Sequence, residues 1–339
     1  MKKNKSIIWE TDLFHPHNDP DDHYDLATIY ALAKMNRVKL EALLIDYTPA
    51  QRGFGAPDLF APAQLSRMTG IYPPIITGSS QNMQCNTDCG ETFSPANLRA
   101  ADWIGAFLEN ADEPVILAVG GSSTDIALAG NRHRDVFEKK CAGIYLNAGC
   151  AVQYPGEPLE YNVYINPNAY TAMFELPCPV YWFPCFQRQT KEYKFVLGEH
   201  GTYFKEKQSI LWENCSDELK TFFLYMLSKS EDMDWLTYIE QKPDDIMLQY
   251  QGALERSMYC TASHLAAAGL GVNKMGDLVE WEDENNIMEF IPICVRTKAS
   301  GELDWLQDEN GRHRLFHIKD ENVYASAMCR ALNKLLTQL

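Results

Sequence analysis

No apolar run in this chain approaches the roughly 18–20 residues that a membrane-spanning helix needs, so no membrane partner is expected. No secretion signal is expected either. Lys2, Lys3 and Lys5 are basic, but Glu10 ends the short apolar stretch Ile7-Ile8-Trp9. The ten cysteines include no C-x-x-C pair, which argues against a cysteine-held zinc or iron–sulfur centre. Taken with that expectation, they predict reduced thiols and a cytoplasmic protein. Basic side chains are scarce, with 30 Lys and Arg against 46 Asp and Glu and a formal charge of −16. Such a surface repels a polyphosphate and offers few cations to displace its counterions, which argues against a nucleic-acid polymer as partner. The glycine turn Gly120-Gly121-Ser122-Ser123-Thr124 lacks the G-K-[ST] ending of a phosphate loop, and Ser122 and Ser123 form no G-x-S-x-G elbow. The expected partner is a small neutral or weakly charged molecule; assembly into a homo-oligomer is left open.

What is present is an alternation of apolar strands and amphipathic helices. Ser6–Thr11, Val38–Ile45, Pro74–Thr77, Val115–Val119, Gly143–Leu146 and Val180–Phe183 read as buried strands. Asp22–Met35, Ala61–Thr69 and Pro95–Asn110 read as helices, and Thr124–Ala129 begins another. Later helices are expected over Asp217–Lys229, Ser257–Ala268 and Glu321–Leu336. Nearly continuous apolar strands separated by helices predict an α/β fold: an open, mostly parallel, Rossmann-like sheet with helices on both faces. With no repeat or long linker, residues 1–339 are expected as one domain, with 282–314 as a β-hairpin extension. Ligands of such sheets sit beyond the carboxyl ends of the strands, which directs attention to the strand-to-helix turns.

The first of these turns, Trp9 to Ala27, holds six acids (Glu10, Asp12, Asp19, Asp21, Asp22, Asp25) and three histidines (His15, His17, His23). Clustered carboxylates repel unless solvated, protonated or bridged by a cation. Hard oxygen donors suit Ca²⁺ or Mg²⁺, and Ca²⁺ tolerates the irregular geometry of a loop. The plainer reading is that Asp19 to Asp22 cap the following helix. His15-Pro16-His17 offers a further choice, a zinc pair in a metal-dependent hydrolase. The stretch Tyr181-Trp182-Phe183-Pro184-Cys185-Phe186 offers either a pocket wall, its rings able to stack on a planar group, or ordinary core.

Three blocks in order carry a resemblance. Glu10-Thr11-Asp12 followed by Asp21-Asp22 resembles the D-T-D-P-G-x-D-D fingerprint of the inosine–uridine-preferring nucleoside hydrolase family. Val115 to Gly120 running into Gly121-Ser122-Ser123-Thr124-Asp125-Ile126-Ala127 is similar to its apolar strand and G-P-L-T-N-I-A turn. Glu160-Tyr161-Asn162 leading to Asn166-Pro167-Asn168-Ala169 looks like its A-E-x-N-x-x-x-D-P-x-A segment. The resemblance implies a calcium-dependent hydrolase that cleaves the N-glycosidic bond of a ribonucleoside or related N-riboside. It implies Asp12 as calcium ligand and base, Asp22 as second carboxylate ligand, and Thr124 as a ligand through its carbonyl. It also implies that Asp21, Glu160 and Asn162 hold the ribose, with Asp46 standing in for an asparagine after the second strand. The sequence departs from the pattern in two places. The first turn is longer, Leu13 to Pro20, and the late His–Asp pair is missing, its place falling near Cys260, Thr261 and His264. Two rival functions stay open: a non-catalytic nucleoside- or sugar-binding protein, and a zinc-dependent hydrolase using His15 and His17.

Overall fold

The computed structural model describes residues 4–16, 19–51, 53 and 55–339. At its centre is β1 (Lys5–Thr11), whose side chains alternate between two apolar layers. Ile7 and Trp9 enter one layer and Ile8 the other. On one side β1 pairs with β2 (Val38–Ile45), which pairs with β3 (Ile75–Thr77). On the other side follow β4 (Val115–Gly120), β5 (Cys141–Asn147) and β6 (Val180–Phe183), all parallel. Three later strands, β7 (Met288–Thr297), β8 (Leu303–Gln307) and β9 (His313–Ile318), complete a nine-stranded sheet of order β8-β7-β9-β6-β5-β4-β1-β2-β3. β9 is parallel to β6, whereas β7 runs antiparallel to both of its neighbours. The 282–314 region therefore supplies an antiparallel edge to the main sheet. The architecture is a single α/β domain with a large, mostly parallel sheet.

Both faces are covered by helices. α1 (Asp21–Lys34) is buried along nearly its whole length in the first layer. α2 (Phe60–Thr69) contributes Ala61 and Leu65 to that layer. α3 (Pro95–Asn110) and α4 (Thr124–Arg132) build the second layer through Ile104, Leu108, Ile126 and Leu128. Ser94 caps α3 by accepting from the Asn97 N–H at 3.4 Å, with Pro95 at the first helical position, where its missing N–H costs nothing. Short helices α5 (Arg134–Lys140), α6 (Tyr161–Ile165) and α7 (Pro167–Met173) follow. α8 (Asp217–Leu227) and the terminal α10 (Glu321–Leu336) close the first face around α9 (Thr261–Ala267).

The expected helix over Ser257–Ala268 is corrected. Glu255–Met258 is a strand, antiparallel to Phe204–Lys207, and the helix starts only at Thr261. Met258 buries one side of that ribbon, and the partner strand overrides the small-residue helical pattern. His264, from the stretch where the late His–Asp pair was sought, is core. Its ring meets Trp9 edge-on at 4.9 Å, and the residue is 1 % exposed.

Burial disfavours the imidazolium and pushes the His264 pKa down to about 3. The unfolded value is near 6.5, so between these pH values the unfolded chain binds the extra proton. The stability this neutral ring provides is present above pH 6.5 and is lost as pH falls toward 3. Relative to His264→Leu, wild type should lose about 2 kcal/mol between pH 7 and pH 5, measured by urea denaturation at each pH. An unchanged difference would contradict the buried, neutral ring.

Candidate active site

A cavity of about 560 Å³ opens at the carboxyl ends of the central strands. Asp12 follows β1 directly, Gly120 ends β4, and Asn147 ends β5; all three line it. Asp19, Asp21 and Asp22 come from the turn into α1, where the positive helix end favours carboxylates. Glu160 and Asn162 enter from the start of α6.

The geometry at Glu160 explains its placement. Its carboxylate accepts the Gly149 N–H at 2.7 Å and the Asn162 N–H at 3.1 Å, so it caps α6 while facing the cavity. Gly149 has φ +82° and lies against Tyr170, where a Cβ would come within 2.4 Å of the phenol oxygen. The Asn162 amide nitrogen lies 3.4 Å from the carbonyls of Gly120 and Asn147. Its side-chain oxygen is thereby left to accept from a ligand.

Asp12, Asp21 and Asp22 are each less than a tenth exposed. Burial raises their pKa values well above the ordinary carboxylate range, and repulsion raises them further. For Asp22 the repulsion comes from Asp12, Asp19, Asp21 and Asp25. One oxygen each from Asp21, Asp22 and Asp25 lies within 4.8 Å of the others. Asp25 is buried beside Cys260, and burial raises its pKa to about 7. A divalent cation is the species that lets such a group ionise together, and the all-oxygen donors fit a hard ion.

Asp46 and Thr124 do not line the cavity. Asp46 is fully buried behind Gly121, where its carboxylate accepts the Ser122 N–H, and a Cβ on Gly121 would come within 2.3 Å of it. It forms a second acidic group with Glu10 and Asp125. Burial raises the pKa of both Glu10 and Asp46; the charge of Asp46 raises Glu10 further, while the hydrogen bond from Glu10 offsets part of the rise at Asp46. Glu10 also accepts the Ile126 N–H at 3.2 Å and so caps α4. Burial and the Asp46 charge push Asp125 up to about 8. Thr124 begins α4 just after Ser123, whose φ of +64° is rare outside glycine. Its hydroxyl is engaged by Ser122 and Asn166, both at 2.8 Å.

The outer wall is aromatic. Phe186 stacks on Phe195 at 4.0 Å with their planes 3° apart, and Tyr259 meets Phe186 edge-on. Trp182 and Phe183 of the same stretch are core, whereas Cys185 and Phe186 line the cavity. Tyr259 and Cys260 line it where the late His–Asp pair was sought. Asn147, Gln189, Tyr193, Phe195 and Tyr259 were missed as lining residues. Asn147 had a usable signal, since it ends an apolar strand. The others converge from distant turns and a hairpin (Arg188–Gln189 with Phe195–Val196). His15 lies on a two-residue strand, with its ring 4.9 Å from that of Phe60. Among the described residues, no metal-capable group includes it, and His17 lies outside the described residues.

Solved structures share this arrangement of strands and helices. The inosine–uridine preferring nucleoside hydrolase from Bacillus anthracis has a TM-score of 0.51 at 12 % identity, over 99 % of this chain and 100 % of that one. The plant nucleoside hydrolase PpNRh1 reaches 0.57 at 15 % identity, over 97 % and 99 %. The fold is that of the nucleoside hydrolases. Type III effector XopQ, solved in complex with adenosine diphosphate ribose, shares the nucleoside-hydrolase fold with this chain at a TM-score of 0.58 and 11 % identity, over 99 % and 94 %. In sequence, the pyrimidine-specific ribonucleoside hydrolase RihA of Escherichia coli O1:K1 is 27 % identical over 89 residues, 26 % of this chain. The chain thus matches 29 % of the length of that relative. No family model matches the chain.

Glu160 joins floor and wall, so Glu160→Ala should leave the Gly149 and Asn162 N–H groups without their acceptor. The expected cost is about 1–3 kcal/mol in chemical denaturation. A loss below about 0.3 kcal/mol would mean that water replaces the carboxylate without penalty.

Proposed function

We propose that this protein is a calcium-dependent hydrolase that cleaves the N-glycosidic bond of a ribonucleoside or a related N-riboside. The observation that carries the reading is the convergence of Asp12, Asp21, Asp22, Glu160 and Asn162 on one cavity within the nucleoside-hydrolase fold. The RihA match and the hydrolases among the solved structures support the same reaction class. Asp12 and Asp22 would hold the cation, with the Thr124 carbonyl as a further donor. When bound, calcium lowers the pKa of a coordinated water and gathers oxygen ligands around it.

The chain's own residues do the rest. Asp12 takes the proton of the attacking water. Asp21, Glu160 and Asn162 orient the ribose through its hydroxyls, so that C1′ meets the water at short range. As the C1′–N bond breaks, positive charge grows on the sugar, and the carboxylates around it stabilise that charge in a water-poor setting. The Phe186–Phe195 stack offers a flat face to the leaving heterocycle. Tyr259, whose phenol burial keeps protonated, supplies an O–H beside that wall. Asp46 acts through the Gly121–Ser122 turn, which it holds closed from behind. The excess of carboxylates in the cavity favours a nucleoside over a nucleotide, whose phosphate they would repel.

Purified protein should release free base and ribose from members of a nucleoside panel when calcium is supplied, and chelation should abolish release. Asp12→Asn should lower kcat by about 10²- to 10⁴-fold, while thermal stabilisation by the same nucleoside persists. Stabilisation of wild type by nucleosides without any base released would favour the binding-protein reading instead.

A further inference from the structure

A third group of ligating side chains lies outside the cavity, beside the β7–β9 pair. Glu199 and His200 sit in the loop before strand Phe204–Lys207, and His317 lies on β9. One ligand atom from each lies within 4.8 Å of the others. We propose that Glu199, His200 and His317 form a binding site for a borderline divalent metal, Zn²⁺ foremost, separate from the acidic cavity.

The distances carry the argument. His200 Nε2 is 3.5 Å from one Glu199 oxygen, and His317 Nδ1 is 3.9 Å from the other. Both exceed the 2.7–3.2 Å of an N–H···O hydrogen bond. They approach the spacing of two ligands on one tetrahedral zinc, about 3.3 Å for bonds of about 2.0–2.1 Å. His317 Nδ1 is buried and has no hydrogen-bond partner.

The far side of the His200 ring is held as a metal site requires, and that of His317 faces a carboxylate. His200 Nδ1 lies 2.9 Å from the Phe316 carbonyl, which can only accept; the proton is therefore on Nδ1, and the Nε2 lone pair faces Glu199. His317 Nε2 points toward Glu289 at 3.8 Å, a residue that β7 places directly opposite it. Such a carbonyl behind a ligating histidine fixes tautomer and ring orientation in metal sites, as at His200, whereas Glu289 faces His317 beyond direct hydrogen-bond reach. Two imidazoles and one carboxylate suit zinc and leave a fourth position for water. The framework is already held without metal, because the Ile318 N–H donates to the Glu199 carbonyl at 2.7 Å. The site would further fasten a loop whose His200 N–H also reaches Gln187, next to the aromatic wall.

Isothermal titration with Zn²⁺ on the full chain tests this. The Glu199 side chain is about half exposed, so Glu199→Gln should fold normally, and His317→Gln supplies a second variant. Wild type should bind one more equivalent of zinc than either variant, or bind that equivalent at least about tenfold more tightly. Asp22→Asn, in the acidic cavity, should leave the equivalent intact. Co²⁺ should give the intense visible absorption of a tetrahedral ion in wild type and lose it in Glu199→Gln and His317→Gln. Equal zinc stoichiometry and affinity in wild type and these two variants would overturn the proposal, as would loss of the equivalent in Asp22→Asn alone.

Discussion

Repulsion among buried carboxylates is the constraint around which this molecule is organised. Asp12, Asp21 and Asp22 share one pit, and Glu10, Asp46 and Asp125 share the space behind it. The two groups solve the same problem differently. The rear group is neutralised by protons and by backbone N–H donors from Ser79, Ser122 and Ile126, so it serves as polar mortar between β1, β2 and α4. The front group faces a cavity instead, so its charge is met from the open side and not by backbone N–H groups. Local structure yields to this arrangement at Gly121, which leaves room for the Asp46 carboxylate, and at Ser123, which turns the chain through a left-handed conformation.

The cavity joins two chemistries. Its floor is rigid, because its residues sit at the ends of buried strands or cap helices whose faces are packed. Its wall is made of rings that hold one another by stacking and edge-on contacts, a sequence-tolerant way to receive a flat group. Tyr259 and Cys260 stand where the resemblance leads one to seek a histidine and an aspartate. That part of the pocket therefore offers a phenol and a thiol, and the carboxylates gather around β1, α1 and the start of α6.

Much of the fold was legible because a strand such as Val115–Gly120 is buried on both faces and reads as an unbroken apolar run. The acids of the floor were legible as a cluster, since Asp12, Asp21 and Asp22 fall within one strand-to-helix turn, where carboxylates repel unless solvated, protonated or bridged by a cation. Ser257–Ala268 misled because small residues satisfy a helical pattern, while the pairing of Glu255–Met258 depends on a strand some fifty residues earlier. Phe195 and Tyr259 were hidden for the same reason, since their convergence with Phe186 is set by tertiary packing alone. Asp46 was read as facing the sugar; its burial follows from the close approach that Gly121 permits, which no spacing in the sequence records.

The hairpin that carries Gln189 and Phe195 is two residues wide in each strand and stands apart from the nine-stranded sheet. Phe195 is half exposed, and no layer of the core rests on it. Drift in this hairpin would therefore reshape the mouth without loosening the acidic floor. Substitutions there could retune which flat molecules the entrance admits, with the sheet beneath left as it was.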